Sequence, residues 1–119
     1  MNVNDGWAAA SARIIGADAD LQKLPISLLE AGEFNEARSA LLLPVGTDED
    51  ASLQRLMEDV RTFFERHRPA LAAVPRSCTV ELFLGWSPRA PQEALTMDAG
   101  LIRALADAGA SVVFDTYSD

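Results

Sequence analysis

The sequence has little of what metal binding, disulfide bonding or nucleotide binding requires. Its 119 residues include one cysteine, Cys78, and one histidine, His67. A lone cysteine forms no intramolecular disulfide, and its free thiol is typical of a reducing compartment. The glycines never form a phosphate-binding loop or a dinucleotide fingerprint. We therefore expect no metal, no cofactor and a cytoplasmic protein.

Long hydrophobic runs are also missing. No apolar stretch approaches the roughly 20 residues that span a bilayer, and residues 1–6 lack a basic start followed by an apolar run. This pattern predicts a soluble chain with neither an export nor a membrane-insertion signal. A length of 119 residues and a hydrophobic content of 49% predict one domain, residues 1–119, with a packed core.

Positive charge is scarce. Ten basic residues against eighteen acidic ones give a net charge of -8, which repels nucleic-acid phosphates and anionic lipid headgroups. Acids outnumber bases nine to three in residues 1–50 and six to two in residues 77–119, whereas residues 51–76 hold five bases and three acids. Such an uneven field steers basic protein partners, although solubility alone would also explain it.

The clearest predicted element is a helix that begins after Thr47. Thr47 and Asp50 have the spacing of a capping box. Pro69 either kinks this helix or starts a new turn that continues to residue 74. A second helix is predicted to begin at a Thr96 cap and to stop at Gly109. Residues at steps of three and four form one apolar face of the first helix: Leu53, Leu56, Met57, Val60, Phe63, Phe64 and His67.

Apolar segments bounded by glycine or proline predict four strands, at residues 7–17, 39–45, 77–86 and 110–117. A short helix is predicted at residues 18–25. Residues 26–38 fit a loop, an irregular hairpin or an edge strand. The order of elements predicts an α+β fold with a single, mostly antiparallel sheet of four or five strands. Its two main helices would lie on one face, in a ferredoxin-like arrangement or a variant of it.

One strand points to a candidate binding surface. In residues 77–86, apolar side chains alternate with a second set that includes Thr79, Glu81 and Phe83. Such alternation is typical of a strand with one buried face and one open face, so the second set would be available to a partner. Trp86 shares the parity of the core face. Tyr117 fits either a core role or an interface anchor.

Three short sequences resemble a known family. They are Ile-Ile-Gly at residues 14–16, Leu-Ala-Asp-Ala-Gly at residues 105–109 and Val-Val-Phe-Asp-Thr-Tyr at residues 112–117. Together with the amphipathic helix after an acidic cap, they resemble the bacterial domain-of-unknown-function family 4279 over about residues 10–117. The resemblance implies a bacterial cytosolic domain of α+β type and carries no activity with it.

The side chains that look reactive have structural explanations. His67, flanked by two arginines, is predicted to end the long helix, where a protonated imidazole suits the negative helix end. Cys78 opens a strand on its apolar side, which predicts a buried, inert thiol. The acidic residues 48–50 suit a helix start. The sequence therefore favours a non-enzymatic role, while a catalytic use of dispersed carboxylates stays open.

Three classes of function fit these observations. The first is an immunity or antitoxin-type protein that neutralises a basic toxin domain by occluding its active site. The second is a small-molecule-binding or regulatory domain of unknown ligand, and the third is an enzyme. No nucleic-acid or membrane partner is expected, and a homo-oligomer stays open. The residues predicted to bind a partner protein are Glu30, Glu33, Glu36, Asp48, Glu81, Phe83, Asp115 and Tyr117.

Overall fold

A computed structural model of the chain describes residues 6–47, 53–88 and 94–117. None of the helices in these ranges is both long and apolar enough to cross a membrane. In chain order the elements are β1 (Trp7–Ile15), α1 (Asp18–Leu21), α2 (Ile26–Ala31), β2 (Glu33–Asn35), a 3-10 turn (Glu36–Arg38), β3 (Ala40–Thr47), α3 (Leu53–Arg66), α4 (Arg68–Ala72), β4 (Thr79–Ser87), α5 (Ala99–Asp107) and β5 (Ser111–Thr116).

The five strands form one sheet in the order β2-β3-β1-β4-β5. β1 lies in the centre and pairs antiparallel with β3 and β4, and β2 pairs antiparallel with β3. β5 runs parallel to β4, because α5 returns the chain to the end of the sheet from which β4 started. The α+β class and the mostly antiparallel sheet are confirmed. The parallel last pair makes the sheet a mixed variant of the predicted architecture.

The core lies between one face of the sheet and the helices. β1 contributes alternate side chains to it, among them three alanines whose small size lets α3 pack close to the sheet. α3 and α5 pack against each other and against the same face, as the sequence predicts. On α3 the predicted apolar face is confirmed, since its members are buried or half-buried. The four fully buried members are Leu56, Met57, Val60 and Phe64.

Residues 26–38 contain a helix that the sequence interpretation missed. α2 begins directly after Pro25, which also ends the preceding turn, and Leu28 is completely buried in the core. Two turns are too short to give a periodic pattern, so the helix has no clear signature in the sequence. After Gly32 the chain forms β2 and turns back into β3, which confirms both an edge strand and an irregular hairpin in this segment.

The predicted start of α5 is wrong by two residues. Asp98, not Thr96, is the N-cap, and its Oδ1 accepts a hydrogen bond from the Leu101 amide at 2.8 Å. A carboxylate also favours the positive helix end, so Asp98 is the better cap of the two. The predicted stop is confirmed, because Gly109 has a φ of +65° and the Ala110 amide donates to the Leu105 carbonyl at 2.9 Å.

The junction between α3 and α4 lies at His67, which ends the long helix as predicted. The His67 amide donates to the Phe63 carbonyl at the end of α3, and His67 is also the N-cap of α4. Burial, with a smaller contribution from Arg66, lowers the pKa of the imidazole. This shift disfavours the protonated imidazole that was predicted at the helix end. Pro69 lies in the first turn of α4, which confirms that it starts a new helix, one of its two predicted roles. The predicted capping box includes Asp50, which lies outside the described residues.

Candidate functional site

The second face of the sheet carries no helix in the described part of the chain. The buried residues of the helices form one cluster with the opposite face, and the odd-numbered residues of β1 and β4, apart from Gly85, remain half-buried or exposed. We call this surface the open face. In its centre, Ser11 lies opposite Phe83 and Arg13 lies opposite Glu81. The sequence prediction that Thr79, Glu81 and Phe83 lie on an uncovered surface agrees with this geometry.

Arg13 is the central charged side chain of the open face. Its guanidinium carbon lies 3.7 Å from the centre of the Phe83 ring, in a cation–π arrangement. Its Nη1 lies 3.6 Å from Oε1 of Glu81, and the two side chains are only 19% and 14% exposed. Arg13 Nε is buried, and no described residue accepts a hydrogen bond from it. The cation is thus held in place by its ring contact while one donor has no acceptor.

Two aromatic rings, those of Trp7 and Tyr117, are in contact at one end of the open face, and Asp115 lies beside Tyr117. The Trp7 and Tyr117 rings lie 5.1 Å apart, and the Tyr117 hydroxyl donates to Oδ2 of Asp115 at 2.7 Å. Trp7 lies directly over Gly85, since a Cβ at Gly85 would come within 3.1 Å of the indole. The Tyr117 amide donates to the Trp86 carbonyl and extends the parallel pairing beyond β5. Glycine at position 85 lets the edge of the indole approach the strand this closely.

A shallow trough of about 360 Å³ runs along the open face. Ala9 and Ser11 form its floor because their side chains are small. Pro44 and Thr47 of β3 form one wall. The other wall is formed by Arg13 and three aromatic side chains, those of Trp7, Phe83 and Tyr117. β3 has one more residue than β1 at this point, between the partners of Ala10 and Ser11, so the strand bulges beside the trough. The trough is mostly apolar, with one cation in its lining.

The hydrogen bond to Asp115 raises the pKa of Tyr117 above its ordinary value, with smaller contributions from burial and the carboxylate charge. This hydrogen bond stabilises the folded state below pH ~10, and the stabilisation is lost as the pH rises through the pKa that Tyr117 has in the folded protein. Tyr117 is the only tyrosine, so tyrosinate absorbance reports on it alone. We expect Asp115→Ala to shift the titration midpoint down toward the ordinary value. Asp107→Ala, which removes an acid from α5, should leave it unchanged; equal midpoints in all three proteins would contradict the assignment.

The structure gathers only part of the predicted binding set. Four of its residues, Glu81, Phe83, Asp115 and Tyr117, lie on β4, β5 or the residue after β5, and all belong to the open face. Glu33 lies on the same face but in β2, about 14 Å from β4 at the usual strand spacing. The remaining three do not join them: Glu30 in α2 and Glu36 in the 3-10 turn are exposed beyond that edge, and Asp48 lies outside the described residues.

Trp7, Ser11 and Arg13 are the residues of the open face that sequence reasoning missed. They alternate along β1 with buried alanines, and this alternation is a signal that could have placed them opposite the core. Their contacts have no such signal, because the pairing of Arg13 with Glu81 depends on the strand register. Trp86, predicted to face the core, is half-buried and packs against it.

Metal chemistry has no support in the described residues. Within residues 6–47, 53–88 and 94–117, no three histidine, cysteine, aspartate or glutamate side chains converge to hold an ion. The chain matches no protein-family model, no curated protein and no solved structure at a significant level. The resemblance to family 4279 therefore stays a prediction.

Proposed function

We propose that the protein is a non-catalytic binding protein that docks a basic partner protein on its open face. The proposed class is an immunity or antitoxin protein, acting in the cytoplasm by occluding the active site of a toxin domain. The observation that carries this proposal is the pair of exposed, mutually contacting rings of Trp7 and Tyr117 on a sheet face without a helix. The free thiol of Cys78 agrees with a reducing compartment.

The open face has the composition of a protein-binding surface and the size of the centre of one. Its five strands and the nine residues of β1 correspond to roughly 19 by 27 Å. This area is roughly two-thirds of the 800 Å² that a standard interface buries on each partner, so a partner of standard size would also contact residues around the face. Tryptophan, tyrosine and arginine dominate the binding energy of many interfaces, and all three occur here.

The charge of the open face favours a basic partner. Among its described residues there is one cation, Arg13, and there are three carboxylates, Glu33, Glu81 and Asp115. The whole chain carries a net charge of -8, so the surrounding field has the same sign. Opposite charges on two proteins accelerate their encounter and select against acidic competitors. Occlusion of a basic active site would use this complementarity.

Photo-crosslinking in the native cell tests the surface and the partner together. A photo-reactive benzoylphenylalanine replaces Tyr117 in one variant and Ile102 in a control variant; Ile102 is 55% exposed on α5. We expect a crosslink from position 117 only, to a protein with a net positive charge. Expressed alone, this partner should inhibit growth, and co-expression of the present chain should restore it. Crosslinks from position 102 alone, or unrelieved growth inhibition, would argue against the proposal.

The affinity for the purified partner gives a second, quantitative test. Tyr117→Ala should weaken binding about tenfold or more, because truncation of a buried aromatic anchor has effects of this size. Ile102→Ala should change it less than about twofold, since scattered contacts outside an interface contribute little. Binding measured by calorimetry should also weaken as salt is added. Salt-independent binding that tolerates Tyr117→Ala would place the interface elsewhere.

A further inference from the structure

We propose that the basic partner protein adds an extended segment, as an additional strand, to the free edge of β5 beside the open face. This mode of docking rests on the proposed function and specifies it: backbone hydrogen bonds hold the segment, and basic side chains lie opposite Asp115. Within the described residues, β5 is the last strand of the sheet and has a neighbour, β4, on one side only. The segment would pair with the other side.

The backbone groups that face the free edge follow from one hydrogen bond. The Tyr117 amide donates to the Trp86 carbonyl of β4 at 2.9 Å. Successive residues of a strand direct their N–H and C=O groups to alternate sides, so the odd-numbered residues of β5 face β4. Val112, Phe114 and Thr116 therefore direct both groups away from the sheet. These three residues offer the donors and acceptors that an added strand requires.

Apolar side chains on both sides of this edge are incompletely covered. Phe114 pairs with the buried Leu84, so its ring lies on the helix side of the sheet, yet Phe114 is 49% exposed. Val113 lies on the open face and is 36% exposed. A strand laid along the edge would place side chains beside both residues, one on each face. Docking on the open face alone would leave Phe114 uncovered.

The two edges of the sheet differ in their protection against such pairing. β2, at the opposite edge, has three residues, carries Glu33 and leads directly into the 3-10 turn. β5 has six residues, contains no lysine, arginine or proline, and pairs with β4 without a register break. Natural edge strands are commonly short, charged, bulged or interrupted by proline, whereas β5 has only Asp115. Its edge is therefore open to a strand from another chain.

Charge and area favour a basic partner over a second copy of this chain. Each copy carries a net charge of -8, and acids outnumber bases six to two in residues 77–119, so two copies repel each other. The open face supplies roughly two-thirds of a standard interface, and β5 forms its border. Strand addition at this border would supply the remaining contact. Lysine or arginine in the added strand would pair across it with the Asp115 carboxylate.

A titration of the isolated, isotope-labelled protein tests the edge with a defined probe, a short peptide of alternating lysine and valine. At saturation, the amides of Val112, Phe114 and Thr116 should gain about tenfold or more protection from hydrogen exchange, because they donate to the added strand. The amides of Val113 and Asp115, which face β4, should change little. A peptide of alternating glutamate and valine should bind at least about tenfold more weakly, because the protein repels it.

Two substitutions at Thr116 separate the backbone from the side chain. Thr116→Pro removes one outward N–H without removing a bond to β4, so it should weaken binding of the lysine–valine peptide about fivefold or more. Thr116→Val is the matched control, because it keeps the N–H on a side chain of similar shape, and it should change binding less than about twofold. If Thr116→Pro fails to fold, the alternating amide pattern of the unsubstituted protein still decides.

Several outcomes would overturn strand addition. These are equal binding of the two peptides, uniform protection along β5, protection confined to the helix side, and no binding at millimolar peptide. Protection of the outward amides that rises with protein concentration, without peptide, would assign the edge to a second copy and also overturn it. The partner protein is absent from these titrations, so their failure leaves docking on the open face standing. Crosslinking at position 117 tests that docking separately.

Discussion

Replacement of Phe64 by alanine is expected to lower the free energy of unfolding by about 3–5 kcal/mol, the largest single effect that the structure predicts. Phe64 is 1% exposed, lies on the buried face of α3 and contacts the Phe63 ring edge-on at 5.4 Å. Its removal leaves a cavity between α3 and the sheet that rigid strands cannot fill. Urea unfolding followed by circular dichroism measures the change.

Phe34→Ala is the control for this prediction. Phe34 is 52% exposed in the edge strand β2, so the same chemical change removes little buried area. We expect a loss of about 1 kcal/mol or less, in line with substitutions at sites of partial exposure. Similar losses for the two variants would mean that the core between α3 and the sheet is not packed as described.

Gly16→Ala is expected to destabilise the protein by about 1–3 kcal/mol through overpacking. A Cβ at Gly16 would lie 2.6 Å from the sulfur of Cys78, far inside van der Waals contact. The backbone of Gly16 is not left-handed, so the cost arises from this collision and not from strain in φ. Equilibrium unfolding of the variant gives the size of the effect.

A double-mutant cycle identifies the source of the cost. Cys78→Ala removes the sulfur and leaves a Cβ 3.4 Å from the added methyl group, a tolerable contact. The double variant should therefore be more stable than Gly16→Ala alone, with a coupling of about 1 kcal/mol or more. Strictly additive losses would show that the two residues do not touch. Such a coupling would also assign Cys78 a packing role, although its side chain is half-buried and not fully buried as predicted.

Those parts of the fold that depend on local pattern could be predicted from the sequence. α3 has an uninterrupted apolar face, and β4 alternates along its length, so both elements and their buried sides were predictable. α2 was not, because six residues give no helical period, and its only strong anchor is Leu28. The cap of α5 was misplaced because Thr96 and Asp98 are both residue types that cap helices, and the apolar period that begins at Met97 favoured the earlier one.

The open face was half predictable for the same reason. Glu81 and Phe83 follow from alternation within one strand, whereas Arg13 becomes part of the site through a register between strands almost 70 residues apart in the chain. The acidic residues Glu30, Glu33 and Glu36 share a charge and a stretch of sequence, and the strand order places them at the far edge from Tyr117. The number of charged residues predicts the sign of the electrostatic field around a protein, but it does not predict which carboxylates lie on the same surface.

The central position of β1 has a consequence for how the protein is made. β1 is synthesised first among the described strands, yet its two neighbours are residues 40–47 and 79–87. During translation it has no partner on one side until residues 79–87 have left the ribosome, and its apolar side chains stay unburied for that time. Slow, late pairing is also the expectation for sheets closed by distant segments. Messenger sequences that alter the pace of elongation before residue 79, or chaperones that bind the nascent chain, should therefore change the yield of folded protein.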